Sequence, residues 1–188
     1  MIKPTASSAI AVAGIKATPA GRARMTTRDM NAWRDLDAAE RTRTAMRMAA
    51  PKIVARSVEA TMHKLFELGI DLYKITSGIG TAPLPPVSSD DLVAIGRTND
   101  SILYGGRVTL WVDLNDDEIA ELGPKTPSNS SADYGKPFGE IFRESGGDFY
   151  KLDPMLFSAA EIRFISNLSG RQRSFGRLDE HIIEQSFS

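Results

Sequence analysis

Lys52-Ile53-Val54-Ala55-Arg56-Ser57-Val58-Glu59-Ala60-Thr61-Met62-His63-Lys64-Leu65-Phe66 reads as one amphipathic helix. Val54, Val58, Thr61, Met62 and Leu65 recur at i, i+4, i+7, i+8 and i+11. That spacing gathers side chains on one face of an α-helix, so the face is expected to be buried. Arg56, Glu59 and His63 fall on the opposite side, three and four residues apart, and stand one above another. A guanidinium, a carboxylate and an imidazole therefore share a stripe. It is either a solvated ornament, where such pairs contribute about 0.2–0.5 kcal/mol each, or a catalytic stripe.

Working outward, 188 residues with 41% hydrophobic content suffice to bury a core as one domain or two small ones. The sequence contains no cysteine, which excludes disulfides, thiolate nucleophiles and Cys-ligated metals. Its two histidines, His63 and His181, exclude a multi-histidine metal cage. No apolar run approaches the roughly 18 residues of a membrane span, so no membrane association is expected.

Charge is unevenly distributed. Residues 1–52 carry 10 basic and 4 acidic side chains, a net of +6, whereas residues 53–188 carry 13 and 20, a net of −7. The split marks a change of segment type near residue 52, and 1–52 is expected to be an Arg/Ala-rich arm or insertion, partly helical or disordered. Seven arginines lie between Arg22 and Arg47. Aspartates interleave them and no aromatic platform accompanies them, so a nucleic-acid partner is not expected.

After the central helix, Gly69 is placed to terminate it, and Asp71–Thr76 reads as a short strand. Ser77-Gly78-Ile79-Gly80-Thr81-Ala82-Pro83-Leu84-Pro85-Pro86 reads as a fixed loop with exposed amides, because its glycines and prolines disfavour a central strand. Ser88–Asp91 should cap a short helix ending near Ile95-Gly96. Arg97-Thr98-Asn99-Asp100 then stand at the mouth of a hairpin, with strands at 101–104 and 108–113 joined by Gly105-Gly106. Short helices are expected at 116–122 and 137–144, and a strand at 148–153. A hairpin at 161–175 turns at Ser169-Gly170-Arg171, and 179–186 forms a terminal helix. The mixture points to an α+β or mixed α/β fold, a mixed sheet with hairpins and packed helices.

Six stretches carry a resemblance. They are Ala55-Arg56-Ser57-Val58-Glu59, Gly80-Thr81-Ala82-Pro83-Leu84-Pro85-Pro86, Ala94-Ile95-Gly96-Arg97-Thr98-Asn99-Asp100, Ile102-Leu103-Tyr104-Gly105-Gly106, Asp133-Tyr134-Gly135-Lys136-Pro137-Phe138 and Asp148-Phe149-Tyr150-Lys151-Leu152-Asp153-Pro154. In this order and spacing they resemble the methenyltetrahydromethanopterin cyclohydrolases of methanogenic archaea and methylotrophic bacteria. The resemblance is to the C-terminal part of that two-domain fold, residues 53–188 here. Pro4-Thr5-Ala6-Ser7 is similar to a family segment that leads almost directly into the Arg-x-x-Glu helix, so the stretch from about Ala9 to Pro51 looks like an insertion.

The resemblance implies hydrolysis of a methenyl group held as an amidinium between two nitrogens of a reduced pterin carrier, giving the formyl derivative. It assigns catalysis to Arg56 and Glu59, with Glu59 as base. Gly80, Thr81, Arg97, Asn99, Asp100 and Lys136 become substrate-binding candidates: Asn99 and Asp100 for the pterin edge, Arg97 and Lys136 for the acidic tail of the carrier, and the Gly80-Thr81 amides for polar atoms. No cofactor or metal is expected, tetrahydromethanopterin being the one-carbon carrier of the substrate. A cytoplasmic homo-oligomer, by resemblance a trimer, is also implied. The alternative is a non-catalytic pterin-binding or oligomerising module derived from that enzyme.

Overall fold

The computed structural model describes residues 10–15, 56–88 and 90–188. Five strands form one sheet in sequential order: β1 (Ile10–Ile15), β2 (Ile75–Pro83), β3 (Arg107–Val112), β4 (Glu161–Ser166) and β5 (Gln172–Gly176). β1, β2 and β3 are mutually antiparallel, as are β4 and β5, whereas β3 and β4 run parallel. A parallel pair needs a long crossover, and the chain from 113 to 160 supplies it with α3 (Asp116–Leu122) and α4 (Phe138–Glu144). The other helices are α1 (56–67), α2 (Asp91–Leu103) and α5 (Glu180–Phe187). The chain is an α+β protein built on a mixed sheet.

α1 obeys its periodicity. Val58, Thr61 and Leu65 are buried and Met62 is half-buried, while Arg56, Glu59 and His63 are exposed. The buried side packs with α3 on one face of the sheet, in a core that includes Val108, Leu110, Val112, Ile119, Ile162 and Phe164. A second core, formed by Leu103, Tyr104, Phe138, Ile141, Leu156 and Ile182, joins α2, α4 and α5 beside the sheet.

Several sequence expectations are corrected. Residues 77–83 belong to β2 rather than to a loop, and β2 is internal, paired with β1 on one side and β3 on the other. Glycine is required there by close approach: a Cβ on Gly78 would stand 3.0 Å from Leu110 Cδ2 and 3.3 Å from Val58 Cγ1. The expected strand at 101–104 is the last part of α2, which continues past Ile95-Gly96 to Leu103. Gly105-Gly106 therefore turns a helix, not a hairpin, into β3. A Cβ on Gly106 would meet the Ile102 carbonyl oxygen at 2.5 Å, so this tight turn excludes larger residues.

Residues 71–74 are a turn of 3₁₀-helix whose amide at Tyr73 donates to Asp71, and only Ile75 onward is strand. The expected strand at 148–153 is likewise a 3₁₀ turn, Phe149–Lys151 capped by Asp148, and a second, Pro154–Leu156 capped by Asp153, follows it. Short acidic side chains here bond their own backbone two residues on, which outweighs the local alternation. Helices α3, α4 and α5 and the β4–β5 hairpin stand where expected within a residue or two. Within the stretch read as an arm, Ile10–Ile15 is the first strand of the sheet; residues 16–52 lie outside the described residues.

Candidate active site

Ser57, Val58, Thr61, Lys64 and Leu65 hold α1 from beneath. Thr61 donates to the Ser57 carbonyl (2.9 Å) and accepts from the Ala159 amide (3.4 Å), which ties the helix to the chain entering β4. With that side fixed, Arg56 and Glu59 project outward one turn apart. Among the described residues their side chains make no hydrogen bond or ion pair. His63 lies 3.9 Å from Glu67 instead. The arrangement offers an unengaged carboxylate able to accept a proton, with an unengaged guanidinium at i−3. Such a pair can activate water and steady an anionic oxygen.

β2 runs back along α1. The chain leaves α1 at Glu67, reverses at Gly69 and enters β2 at Ile75, and Val58 meets Gly78 further on. The far end of β2, with Gly80 and Thr81, therefore lies toward the end of α1 that carries Arg56 and Glu59. Gly80 pairs with both Ala13 and Val108, and Thr81 with Val12 and Arg107, so these amides sit inside ladders.

The polar run of α2 is turned inward. Asp100 is fully buried, and its carboxylate accepts from the Phe138 amide (2.8 Å) and the Ser186 hydroxyl (2.6 Å). Burial pushes its pKa up to about 6 against the pull of those two bonds. Arg97 donates through Nε to the Ser186 carbonyl (2.9 Å) and through Nη2 to that of Ser188 (2.6 Å). Asn99 is buried and donates to the Ile95 carbonyl one turn earlier (2.9 Å). Lys136 is exposed and paired with Glu144 at 2.7 Å, and its carbonyl accepts from the buried Tyr104 hydroxyl. The fold thus brings Arg97, Asp100 and Lys136 together around α2, α4 and α5, while Arg56 and Glu59 stand on α1.

Sequence reasoning missed Lys64. It is fully buried, and its ammonium donates to the carbonyls of Pro127 (2.7 Å) and Met155 and to Ser130 Oγ (2.7 Å). Burial lowers its pKa to about 8, opposed by the nearby Asp153 carboxylate. The signal was present in spacing: Lys64 follows Ser57 by seven residues and Thr61 by three, on one line with both. Among the described residues no cluster of three or more His, Asp or Glu could hold a metal ion. None of the described helices is long and apolar enough to cross a membrane.

The unit is α+β and presents an outward guanidinium–carboxylate pair on a core-anchored helix. The family described as "Cyclohydrolase (MCH)" matches residues 9–187, and the chain belongs to that family. A relative from Rhodopirellula baltica, named methenyltetrahydromethanopterin cyclohydrolase, is 48% identical over 138 residues, covering 72% of this chain and 41% of the relative. A relative of the same name from Methylobacterium sp. is 48% identical over 139 residues, covering 74% and 43%. One from Methanospirillum hungatei is 41% identical over 144 residues, covering 77% and 45%. The chain spans less than half the length of these relatives.

Proposed function

We propose that this chain carries the water-activating part of a methenyltetrahydromethanopterin cyclohydrolase. The observation that carries the reading is the pair Arg56–Glu59. It is held outward and unengaged on α1, inside the region that matches the family. The relatives bear the name of that reaction.

The methenyl carbon is an amidinium carbon, electrophilic without a Lewis acid, so neither metal nor cofactor is called for. Water adds its oxygen to that carbon while Glu59 accepts a proton, and the carboxylate charge also stabilises the neighbouring cation. The tetrahedral adduct then loses its hydroxyl proton, the bond from carbon to one nitrogen breaks, and that nitrogen is protonated. The formyl group remains on the other nitrogen. Overall one water is consumed and one proton released. Arg56, one turn away, steadies the developing oxygen anion. Lys136, on the surface, suits the acidic tail of the carrier. Arg97 and Asp100 tie α2 to α4 and α5 beside the sheet. On this reading the chain acts in one-carbon metabolism in the cytoplasm, as a homo-oligomer and, by the resemblance, a trimer.

The test follows loss of the methenyl chromophore with the purified chain. Hydrolysis above the spontaneous rate that disappears in Glu59→Gln supports the reading, and equal rates with and without protein would sink it.

A further inference from the structure

Ser57, Thr61 and Lys64 fall at i, i+4 and i+7 on α1, and all three are fully buried, so a polar seam runs beside the apolar line of Val58, Met62 and Leu65. The two lines differ in what they can fix. Apolar contacts are non-directional, and they locate a helix along its axis only where side chains interdigitate. Beneath Val58, β2 buries Gly78 and, two residues on, Gly80, neither of which has a side chain to interdigitate with. Val58 Cγ1 lies 3.3 Å from the position a Cβ on Gly78 would take. Toward the end of α1 that carries Arg56 and Glu59, β2 is a smooth track.

The polar seam is directional. The Lys64 ammonium donates to the carbonyls of Pro127 (2.7 Å) and Met155 and to Ser130 Oγ (2.7 Å). A second group holds these acceptors in place: the Asp153 carboxylate accepts from the Ser131 hydroxyl (2.6 Å), the Ala132 amide (3.2 Å) and the Met155 amide (2.9 Å), which locks the two stretches to each other. The Ser128 amide donates to the Ala159 carbonyl (3.1 Å), joining them to the chain that enters β4. Three oxygens from two stretches form a socket that fits an ammonium in one place, and specifying register is a well-attested use of a buried polar group.

We propose that Lys64 is a positioning residue: its ammonium sets the register of α1 on β2, and so the place from which Arg56 and Glu59 act. A slip of one residue would carry Glu59 about 1.5 Å along the helix axis and turn it by about 100°. Misplacing a reacting group by about 1 Å costs up to about a hundredfold in rate. Only the effect on rate rests on the functional reading above; the register is a property of the fold.

The sequence has no cysteine, so Lys64→Cys offers a single thiol. Alkylated in denaturant with bromoethylamine and refolded, it carries an ammonium at the length of lysine; with bromoethanol it carries a neutral hydroxyl. The parent passes through the same cycle. Lys64→Met is compared with Leu65→Ala, which weakens the apolar line and leaves the socket filled. Well below the unfolding midpoint, the hydroxyl form and Lys64→Met should lose about tenfold to a hundredfold in kcat on the methenyl carrier with KM little changed, while the ammonium form and Leu65→Ala stay within about twofold of the parent. By nuclear magnetic resonance, the proton contact between the Val58 methyls and the Gly78 α-protons should be present in the parent, the ammonium form and Leu65→Ala, and absent from the other two. Should Lys64→Met not fold, Ser130→Ala removes one acceptor with the ammonium still buried, and should weaken the same contact and lower kcat by about twofold to fivefold. A Val58–Gly78 contact unchanged in a folded Lys64→Met, or in Ser130→Ala where that variant stands in, overturns the proposal whatever the rate does. So does a kcat loss in Leu65→Ala as large as that in Lys64→Met, or a hydroxyl form that matches the ammonium form. A parent that does not hydrolyse the carrier counts against the functional reading alone, and the Val58–Gly78 contact then decides the register.

Discussion

Ser186, near the end of α5, donates its hydroxyl to the buried Asp100 carboxylate at 2.6 Å, and the same carboxylate accepts the first amide of α4, at Phe138. One side chain of α2 thus closes the end of one helix and caps the start of another. Ser186→Ala is expected to lower stability by about 1–2 kcal/mol, and Asp100→Ala by about 3 kcal/mol because it also strands a buried amide. Urea unfolding measures both, and an Asp100→Ala protein as stable as the parent would refute the dual role.

Two buried ionisable groups, Asp100 and Lys64, set opposite pH slopes. Asp100 titrates near 6 in the fold against an ordinary 3.8, so the folded state holds the extra proton and stability falls as pH rises from about 4 to 6. Lys64 titrates near 8 against 10.5, so the unfolded chain holds the extra proton and stability rises as pH climbs from about 8 to 10.5. Each limb is worth on the order of 3 kcal/mol. Relative to the parent, Asp100→Asn should flatten the acid limb alone and Lys64→Met the alkaline limb alone. Denaturation midpoints between pH 4 and 10 that move in parallel for all three proteins would contradict this.

Lys64 joins α1 to the 125–131 and 153–156 stretches through three acceptors. Lys64→Met keeps the length of the side chain but leaves those acceptors without their donor, for a loss of about 2–4 kcal/mol. Amide exchange should quicken first around Ser130 and Met155. Unchanged protection there would show that the ammonium is not what holds these turns.

Glu59→Gln should reduce turnover of the methenyl carrier by about two to four orders of magnitude with carrier binding largely intact. Arg56→Ala should also reduce it, and the double variant should lose less than the two effects added together. Both side chains are exposed and unengaged, so each substitution should leave stability within roughly 0.5 kcal/mol. Unchanged turnover in Glu59→Gln would end the proposed mechanism.

What the sequence disclosed was whatever its local period encodes. α1 declared its buried and exposed faces, and α3, α4, α5 and the β4–β5 hairpin followed from caps, charge and turn residues. β2 was illegible because Gly78 reads locally as a loop residue, and only the contact with Val58 and Leu110 from distant elements explains it. Arg97-Thr98-Asn99-Asp100 was placed at the mouth of a hairpin for the same reason, whereas it lies within α2. Four polar residues suggest a surface, yet Asp100 and Arg97 find their partners at Phe138, Ser186 and Ser188, far along the chain. The outward stripe of Arg56 and Glu59 was readable as a stripe, but its chemistry came from resemblance, since spacing alone does not separate an ornament from a base.

The pairing of β1 with β2 also sets an order of assembly. Ile10 registers with Pro83 and Ile15 with Gly78, and all of residues 16–74 lie between the two strands. Closing so long a loop costs roughly 3–4 kcal/mol beyond its constant term, and the cost falls due before the ladder returns anything. α1, β2 and β3 meet over much shorter separations, so β1 should arrive late, on a preformed edge. Until it does, β2 offers an unpaired edge to any extended segment nearby. Refolding at high concentration is then a contest between this chain's own first strand and a neighbour's, and exchanged dimers are its expected by-product.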